Sequence, residues 1–359
     1  MHFGEPLDDD RLVALLRPDE RIRTVITADA YGAGEADALL GRALRGVPRD
    51  DYCLVGAVGH DFYAGARDGA KGFPRFTDPR LRGPDAYADY LQTAAEGSLR
   101  RIGVDAFDLL LLHNPDRTGY TSPAVWDGVA RLRDLGLTRK LGVAPGPANG
   151  FTLDLLACFE AFGELIDWAM IILNPLEPWP GELVLDAARH HEVELITRVV
   201  DYGGLFHDDV LPGHPFPRWD HRSFRPAGWV EAGREKLDRM RPIAERHGLS
   251  LLQLACLWNL AHAPVSCVAP TLIQEPGEAA RPIEAKREEL AALPEGDVLS
   301  EEEVALVRSI GDNTGCMTLK GAAPDHEGEP RPDRWAIGPE HSDVAARWGI
   351  EPARDLQPA

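Results

Sequence analysis

The chain of 359 residues carries 38 basic and 58 acidic side chains, which gives a net charge of −20 at neutral pH. This length is enough for one large hydrophobic core or two ordinary ones, and the hydrophobic fraction of 44% excludes global disorder. The negative charge argues against nucleic acid and anionic membranes as main partners, because both are polyanions.

Neither targeting nor disulfide signals stand out in the sequence. No basic segment followed by an apolar stretch opens the chain, and no run approaches the roughly 18 apolar residues that a membrane span needs. The five cysteines are widely spaced, without C-x-x-C pairs. We therefore expect a reduced, cytoplasmic protein that binds a small molecule.

Short apolar runs alternate with amphipathic segments along most of the chain. Because parallel strands need crossover connections, this alternation predicts a parallel sheet covered by helices. The runs predict strands at residues 22–27, 53–58, 107–113, 140–144, 168–174, 194–200 and 266–270. Helical periodicity occurs at residues 38–44, 125–135, 151–162, 183–190, 229–247, 251–260 and 300–310. Seven strands without a second composition regime predict one (β/α)8 barrel rather than two doubly wound domains.

Three stretches depart from this regular alternation. The first strand of the barrel, which should precede Leu7, is short or missing. Residues 201–228 are rich in Gly, Pro, His and Arg, which predicts a long loop. This loop follows the strand at residues 194–200, which is the seventh strand of the barrel when the missing first strand is counted. We expect residues 1–310 to form the barrel and residues 311–359, with Trp335 and Trp348, to form a tail packed over or beside its mouth.

Candidate functional residues follow the strands, because barrels of this type carry their active sites at the carboxyl ends of the strands. Tyr31 and His113 are candidate proton donors or acceptors, Arg198 a ligand for a carboxylate or oxyanion, and Asp201 a candidate base. The alternative for both residues is a structural role, in which Tyr31 packs a turn and His113 is a hydrogen-bonded histidine at the end of a strand. Candidate substrate-binding residues at the same rim are Asp29, His60, Asn114, Asn174, Tyr202 and Trp229.

Other kinds of site have less support. Scattered potential metal ligands lack the paired spacing of H-x-H or H-E-x-x-H motifs, so we expect no metal; they are His60, Asp61, His113, Asp201 and His207. No G-x-S-x-G elbow favours a serine nucleophile, and no G-x-G-x-x-G follows a strand to form a Rossmann phosphate loop.

Several motifs together resemble one family. Residues 27–35, Thr-Ala-Asp-Ala-Tyr-Gly-Ala-Gly-Glu, and the Leu-Leu-Gly-Arg-Ala-Leu that follows at 39–44 resemble the aldo-keto reductase signature around its catalytic tyrosine, here Tyr31. Residues 108–116 resemble the catalytic-histidine strand, with His113. Similar stretches extend the resemblance over residues 3–310. It implies a (β/α)8 barrel and reversible hydride transfer between NADPH and an aldehyde, a ketone or a sugar anomeric carbon.

The chain departs from the Asp-Tyr-Lys-His tetrad of this family. In the family the lysine lowers the pKa of the tyrosine, and the aspartate holds the lysine. Here Ile26 stands at the aspartate position and Ala57 at the lysine position. Without the ammonium group we expect Tyr31 to remain a weak acid, with a pKa near the ordinary value of about 10.

The cofactor positions implied by the resemblance are altered as well. The side chains that hold the nicotinamide carboxamide in the family are replaced by Ala144, Pro145 and Met170. Arg281 and Lys286 remain candidate ligands for cofactor phosphates, beside an acidic insert at residues 274–280. We therefore expect no cofactor, with NADP(H) as the alternative.

Three functions remain open from the sequence. The favoured one is cofactor-independent acid/base chemistry on a carbonyl- or hydroxyl-bearing small molecule, namely elimination, hydration or isomerisation by Tyr31 and His113. The first alternative is an NAD(P)H-dependent carbonyl or sugar oxidoreductase with a non-standard cofactor site, in which Asp29 is a substitute for the missing acid. The second is a catalytically inactive binding subunit, as in the potassium-channel branch of the family.

Overall fold

The computed structural model of the chain describes residues 3–68, 72–146, 151–217, 219–225, 227–278, 280–313 and 338–356. Within them, seven strands alternate with helices as the sequence predicts. The strands are β1 (Thr24–Ile26), β2 (Cys53–Val58), β3 (Phe107–His113), β4 (Thr138–Ala144), β5 (Trp168–Ile172), β6 (Glu194–Arg198) and β7 (Val265–Ala269).

The helices cover the outer side of the sheet. α1 (Asp9–Leu16) precedes β1, and the helices that follow the first four strands are α2 (Glu35–Leu44), α3 (Tyr87–Ile102), α4 (Arg117–Thr121), α5 (Pro123–Asp134) and α6 (Phe151–Phe162). The later ones are α7 (Leu185–His190), α8 (Trp229–Arg246), α9 (Leu251–Leu260), α10 (Ile283–Ala291), α11 (Glu301–Gly311), α12 (Pro339–Arg347) and α13 (Pro352–Asp355). Capping boxes at Ser250 and Ser300 fix the starts of α9 and α11, since each serine satisfies an amide that the helix leaves unpaired.

The seven strands form one parallel sheet in the order β1 to β7, curled into the (β/α)8 type of barrel. Among the described residues β1 and β7 share no ladder hydrogen bonds, so the barrel is open along one seam. A cavity of about 1500 Å³ lies at this seam, lined by residues of both edges such as Thr24, Cys267 and Val268. The seam is where the expected first strand would complete the barrel.

The interior of the barrel is apolar. One buried cluster consists of Ala28, Val55, Ala57, Leu109, Leu111, Ala144, Met170 and Ile196, and the partly buried Ile26 packs against it. A second, larger cluster fills the space between the sheet and the surrounding helices. The inner cluster forms the floor beneath the carboxyl ends of the strands, where candidate functional residues are expected.

The end of the chain packs against the outside of the barrel where the structure describes it. His341 of α12 bonds Asp154 of α6 at 2.8 Å, and Trp348 donates to Glu160 of the same helix at 3.0 Å. Trp335 lies outside the described residues. Within the described ranges, no helix combines the length and the apolar character that spanning a bilayer requires.

Candidate active site

Tyr31 lies in a tight turn that leaves β1 at the barrel mouth. Residues 32–34 of this turn have positive φ angles of 59°, 53° and 98°, a conformation that glycine adopts without strain and Ala33 adopts at a cost. The turn leaves 54% of the tyrosine side chain exposed. Even so, the surrounding wall of the mouth raises the pKa of the phenol, and attraction to Arg198 only partly opposes this burial effect.

His113 ends β3 and meets Tyr31 at the mouth. The two rings are in edge contact, with centroids 5.6 Å apart and planes at 85°. The histidine is almost completely buried, and burial lowers its pKa well below 6.5, with further lowering by His60, Arg75 and Arg198. His113 is therefore a neutral imidazole. Among the residues that the structure describes, its buried Nδ1 has no hydrogen-bond partner.

His60 and Asn114 form a second layer behind His113. His60 packs against the His113 ring with centroids 4.9 Å apart, its Nδ1 lies 3.0 Å from the Phe73 carbonyl, and its Nε2 lies 3.2 Å from Asn114 Nδ2. Nδ1 thus has an acceptor beside it in the Phe73 carbonyl and a donor in Arg75 Nη1, also 3.0 Å away, so these contacts do not select one tautomer. Burial and the neighbouring Arg75 lower the pKa of His60 to about 4, so it too is neutral.

Two guanidinium groups lie around His113. Arg198, at the end of β6, donates through Nη2 to the Pro145 carbonyl at 3.0 Å. Arg75 was not predicted from the sequence. It is buried, donates through Nε to the Asn114 carbonyl and places Nη1 3.0 Å from His60 Nδ1. It lies in an irregular loop after β2 that carries no motif. Its only signal in the sequence is that this arginine stands between apolar residues.

The two positions that lack the expected charges are part of the hydrophobic interior. Ala57 belongs to the inner apolar cluster, and Ile26 packs against it. In the sheet, Ile26 is in register with Val55, and Ala57 is in register with Leu111, two residues before His113. The space near the phenol that a lysine–aspartate pair would occupy is therefore filled by apolar side chains.

Asp29 is buried behind the mouth rather than exposed in it. Its backbone N–H donates to the Ala57 carbonyl at 3.1 Å, and its side chain is completely buried. Neither carboxylate oxygen has a hydrogen-bond partner among the described parts of the chain. Burial, and secondarily the nearby Asp37, raise the pKa of Asp29 well above its ordinary value. The charged groups that act on Asp29 include both members of the Asp37–Arg101 ion pair.

Asp201 and Asn174 hold loops together at the rim. Asp201 accepts from the Thr271 N–H at 2.7 Å and from the Gly204 N–H at 2.9 Å, which ties the loop after β6 to the loop after β7. Asn174 accepts from the N–H groups of residues 176 and 177 and donates to the Val199 carbonyl. Both side chains are completely buried, and their polar atoms are engaged in these contacts.

Tyr202 and Trp229 form an aromatic box. Their rings are 5.8 Å apart, and the guanidinium of Arg225 lies over both, 4.3 Å and 4.8 Å from the two centroids. Glu177 lies 3.7 Å from the same guanidinium. The two aromatic residues thus contact the guanidinium of Arg225, and this contact was not predicted from the sequence.

The candidate phosphate ligands are already engaged. Arg281 pairs with Glu289 and donates to the His207 carbonyl at 3.0 Å. Lys286 is completely buried, 2.6 Å from Asp209 Oδ2 and 2.6 Å from the Ile273 carbonyl. Within the described residues, no group of three His, Cys, Asp or Glu side chains has the arrangement of a metal site.

Comparison with known proteins agrees with this fold and these motifs. The profile of the Aldo/keto reductase family matches residues 7–310. A 6-dehydroglucose reductase of Agrobacterium fabrum is 36% identical over 97 residues, which are 26% of this chain and 30% of the relative. An aldo-keto reductase of Mycolicibacterium vanbaalenii is 32% identical over 120 residues, 32% of this chain and 43% of the relative. The chain thus spans less than half the length of either of these relatives.

Longer but weaker matches cover most of the chain. A probable voltage-gated potassium channel subunit beta of Oryza sativa subsp. japonica is 23% identical over 286 residues, 74% of this chain and 79% of the relative. The structure of a glycerol dehydrogenase from Gluconobacter oxydans superposes with a TM-score of 0.65 at 24% identity, covering 86% of each chain. An aldo-keto reductase from Klebsiella pneumoniae in complex with NADPH gives a TM-score of 0.53 at 20% identity, covering 84% of this chain and 85% of that one.

The curled parallel sheet and the polar residues at its carboxyl edge define a protein of the (β/α)8-barrel class. Because the family profile spans most of its length, the chain belongs to the aldo/keto reductase family. Membership supports the prediction that it is an enzyme. The structural neighbours, all below 25% identity, support the fold.

Proposed function

We propose that the chain is a carbonyl or sugar oxidoreductase that uses NAD(P)H through a non-standard cofactor site. The observation that carries the proposal is the contact of Tyr31 with a neutral His113 at the mouth of a barrel of this family. Relatives are named as reductases, and a structural neighbour was solved with NADPH. This support favours NADP(H) over our expectation from the sequence that no cofactor is used.

The chain's own residues supply the proton chemistry. The phenol of Tyr31 keeps its proton at neutral pH, because its pKa is raised, and it can donate that proton to a substrate oxygen on which negative charge develops. The neutral imidazole of His113 hydrogen-bonds the same oxygen and orients it. The cation of Arg198 stabilises the negative charge, since it already attracts the phenolate form of Tyr31.

The described residues do not fit NADP(H) in the manner usual for the family. Ala144 and Met170 belong to the apolar cluster and offer no hydrogen bond to a carboxamide. The side-chain amide of Asn174 is hydrogen-bonded to backbone groups, and the cations of Arg281 and Lys286 are paired with carboxylates. A cofactor would therefore have to be held by other contacts than those that the family uses.

This misfit favours a second candidate, cofactor-independent elimination, hydration or isomerisation on the same type of substrate. The specific observation is that Ile26 and Ala57 are packed into the apolar interior while Tyr31 and His113 remain at the mouth. A neutral phenol and a neutral imidazole can together donate and accept a proton without a hydride source. The engaged carboxylate of Asp201 makes His113 the better base.

Cofactor binding separates the two candidates. Purified protein is titrated with NADPH and, separately, NADH, while intrinsic tryptophan fluorescence is followed, and cofactor oxidation is then measured with a panel of aldehydes and aldoses. The oxidoreductase proposal predicts binding in the micromolar range, about −8 kcal/mol, and turnover that Tyr31→Phe abolishes. Absence of binding and turnover with both cofactors would reject it. Conversion of a hydroxy or keto substrate without cofactor would then support the second candidate, and binding without any turnover would indicate an inactive subunit.

A further inference from the structure

Asn114, the residue after His113, has a strained backbone conformation. Its φ angle of 46° lies in the left-handed region, which asparagine tolerates better than most residues but which only glycine adopts without strain. Such a conformation persists only where the surrounding contacts hold it, and residues of this kind cluster at functional sites. Because β3 ends at His113, the conformation of the next residue determines how the backbone leaves the strand beside the imidazole.

Contacts to three other segments hold Asn114 in this conformation. Its N–H donates to the Ala144 carbonyl at the end of β4, at 2.7 Å. Its carbonyl accepts from Arg75 Nε, and its side-chain Nδ2 lies 3.2 Å from His60 Nε2. Arg75 joins two of these contacts, because its Nη1 also lies 3.0 Å from His60 Nδ1. One guanidinium therefore holds both the backbone after His113 and the ring of His60.

The loop that carries Arg75 is fastened to the ends of β2 and β3. Backbone hydrogen bonds of 2.8 Å and 3.0 Å join residues 74–76 to residues 59–61 at the end of β2. Thr77 Oγ1 donates to Asp116 Oδ2 at 2.8 Å, in the turn that follows β3. The negative charge of Asp116 also attracts Arg75, so the buried cation is both hydrogen-bonded and electrostatically stabilised. Arg75 is therefore held at its backbone and at its side chain.

The ring of His60 connects Arg75 to the imidazole of His113. The His60 and His113 rings are in edge contact, with centroids 4.9 Å apart and planes at 66°. The ring of Tyr31 contacts His113 as well, with centroids 5.6 Å apart. His60 and Asn114 are predicted from the sequence to bind substrate. Their contacts give them a different task, which is to hold the imidazole of His113.

We propose that Arg75 is a positioning residue for His113, which it places by holding Asn114 in the left-handed conformation and His60 against the imidazole. The proposal rests on the proposed function in assigning His113 to the substrate oxygen. A displacement of about 1 Å in a group that orients a substrate can lower the rate about 100-fold. Because negative charge on the oxygen develops only in the transition state, loss of Arg75 should lower kcat more than it raises KM.

Substitutions of Arg75 test this role. Arg75→Met removes the donors and keeps the length of the side chain, and we expect it to lower kcat about 10–100-fold with KM within a few-fold of native. Arg75→Lys keeps the charge beside Asp116 but lacks the planar fork that reaches Asn114 and His60 together. It should therefore restore part of kcat and remain several-fold below the native protein.

The matched control is Arg49→Met. Arg49 also donates to backbone carbonyl groups, those of Tyr52 and Ala106 at 3.0 Å and 3.1 Å. These residues stand immediately before β2 and β3, and thus at the opposite ends of the strands from His113. We expect kcat of this variant to stay within a few-fold of native.

NMR of the histidine rings tests the proposal without requiring turnover. At about pH 8, where an ordinary imidazole is uncharged, nuclear Overhauser contacts between the ring protons of His60 and His113 should weaken in Arg75→Met and persist in Arg49→Met. Native kcat or native ring contacts in folded Arg75→Met would overturn the proposal, as would equal losses in Arg49→Met. If Arg75→Met does not fold, Arg75→Lys carries both readouts, and native values there would overturn it. Weakened ring contacts in a protein that turns over no substrate would support the placement of His113 while the proposed function fails.

Discussion

The ring of Tyr31 meets the ring of His113 edge to face, with centroids 5.6 Å apart, although the two residues come from opposite sides of strand β2. The strand between them contributes Ala57, whose methyl group lies in the apolar interior. The two residues that match the tyrosine and histidine of the family motifs are therefore in contact, and apolar side chains occupy the two positions at which the resemblance implies a charged pair.

Restoring the charged pair should change the acidity of Tyr31. In the double variant Ile26→Asp with Ala57→Lys, an ammonium group near the phenol should lower the pKa of Tyr31, because a nearby cation stabilises the phenolate. Spectrophotometric titration of the double variant, with and without Tyr31→Phe, isolates this phenol. Ala57→Lys alone should lower the free energy of unfolding by about 3–5 kcal/mol, since it leaves an unpaired charge in the interior. Unaltered stability of the single variant would show that position 57 is less enclosed than we find.

The buried carboxyl of Asp29 should make stability depend on pH. Its raised pKa means that the folded state binds a proton that the unfolded state has released, so this group makes the protein less stable as the pH rises above about 4. Asp29→Asn removes the titration. Urea unfolding between pH 4 and 8 should show the advantage of the variant growing with pH, by at most about 1.4 kcal/mol per unit. An advantage that does not vary with pH would contradict this account of Asp29.

The same variant tests whether Asp29 replaces the missing acid of the tetrad. Because its carboxyl is completely buried and senses the Asp37–Arg101 pair, we expect Asp29→Asn to retain activity within a few-fold of the native protein. A loss as large as that of Tyr31→Phe would assign Asp29 to the proton path.

His113 and His60 should stay uncharged over the physiological range. Their pKa values are lowered, that of His60 to about 4, so the unfolded state binds protons near pH 6 that the folded state does not. Stability should therefore fall as the pH is lowered from about 6.5 towards 4, the opposite direction to the contribution of Asp29. NMR of the imidazole Hε1 protons checks this directly. A His113 resonance that titrates near pH 6.5 would refute the neutral imidazole.

The open seam should be visible in hydrogen exchange. In the part of the chain that the structure describes, strands β1 and β7 each have ladder bonds on one side only, whereas β2 to β6 are bonded on both sides. Peptides covering β1 and β7 should therefore exchange faster than those covering β2 and β3, because unpaired edges open more readily. Equal protection of all seven strands would mean that the seam is closed in solution.

The strands and most helices could be predicted from the sequence because their apolar runs are long and regular. β2 and β3 have the predicted bounds, as do α6 and α9. β1 is shorter than its apolar run, and β5 ends at Ile172 rather than at Asn174, because the side chain of Asn174 is used to close the turn that follows. The length of a strand depends on which residues of the neighbouring strands offer hydrogen-bond partners. The sequence of one segment does not contain this information.

The site was predictable only in part. His113 ends β3 and Tyr31 lies in the turn after β1, and both stand in family motifs, so the sequence could single them out. Asp29 also follows a strand, but its side chain is completely buried, whereas that of Tyr31 is exposed. Arg75 lies in a loop, and only the tertiary contacts to Asn114 and His60 bring it to the mouth. The pairing of Arg281 and Lys286 with Glu289 and Asp209 likewise depends on contacts between distant segments.

The most direct test of the account is the effect of Tyr31→Phe on conversion of a substrate at this mouth, whichever reaction is found. The matched control is Tyr63→Phe, because Tyr63 is similarly exposed, at 45% against 54%, but contacts Phe62 and Arg101 instead of His113. We predict that kcat falls by about 10²–10⁴-fold in Tyr31→Phe and stays within a few-fold of native in Tyr63→Phe, with both variants folded. Equal activity of the two variants would contradict the assignment of Tyr31 as the proton donor.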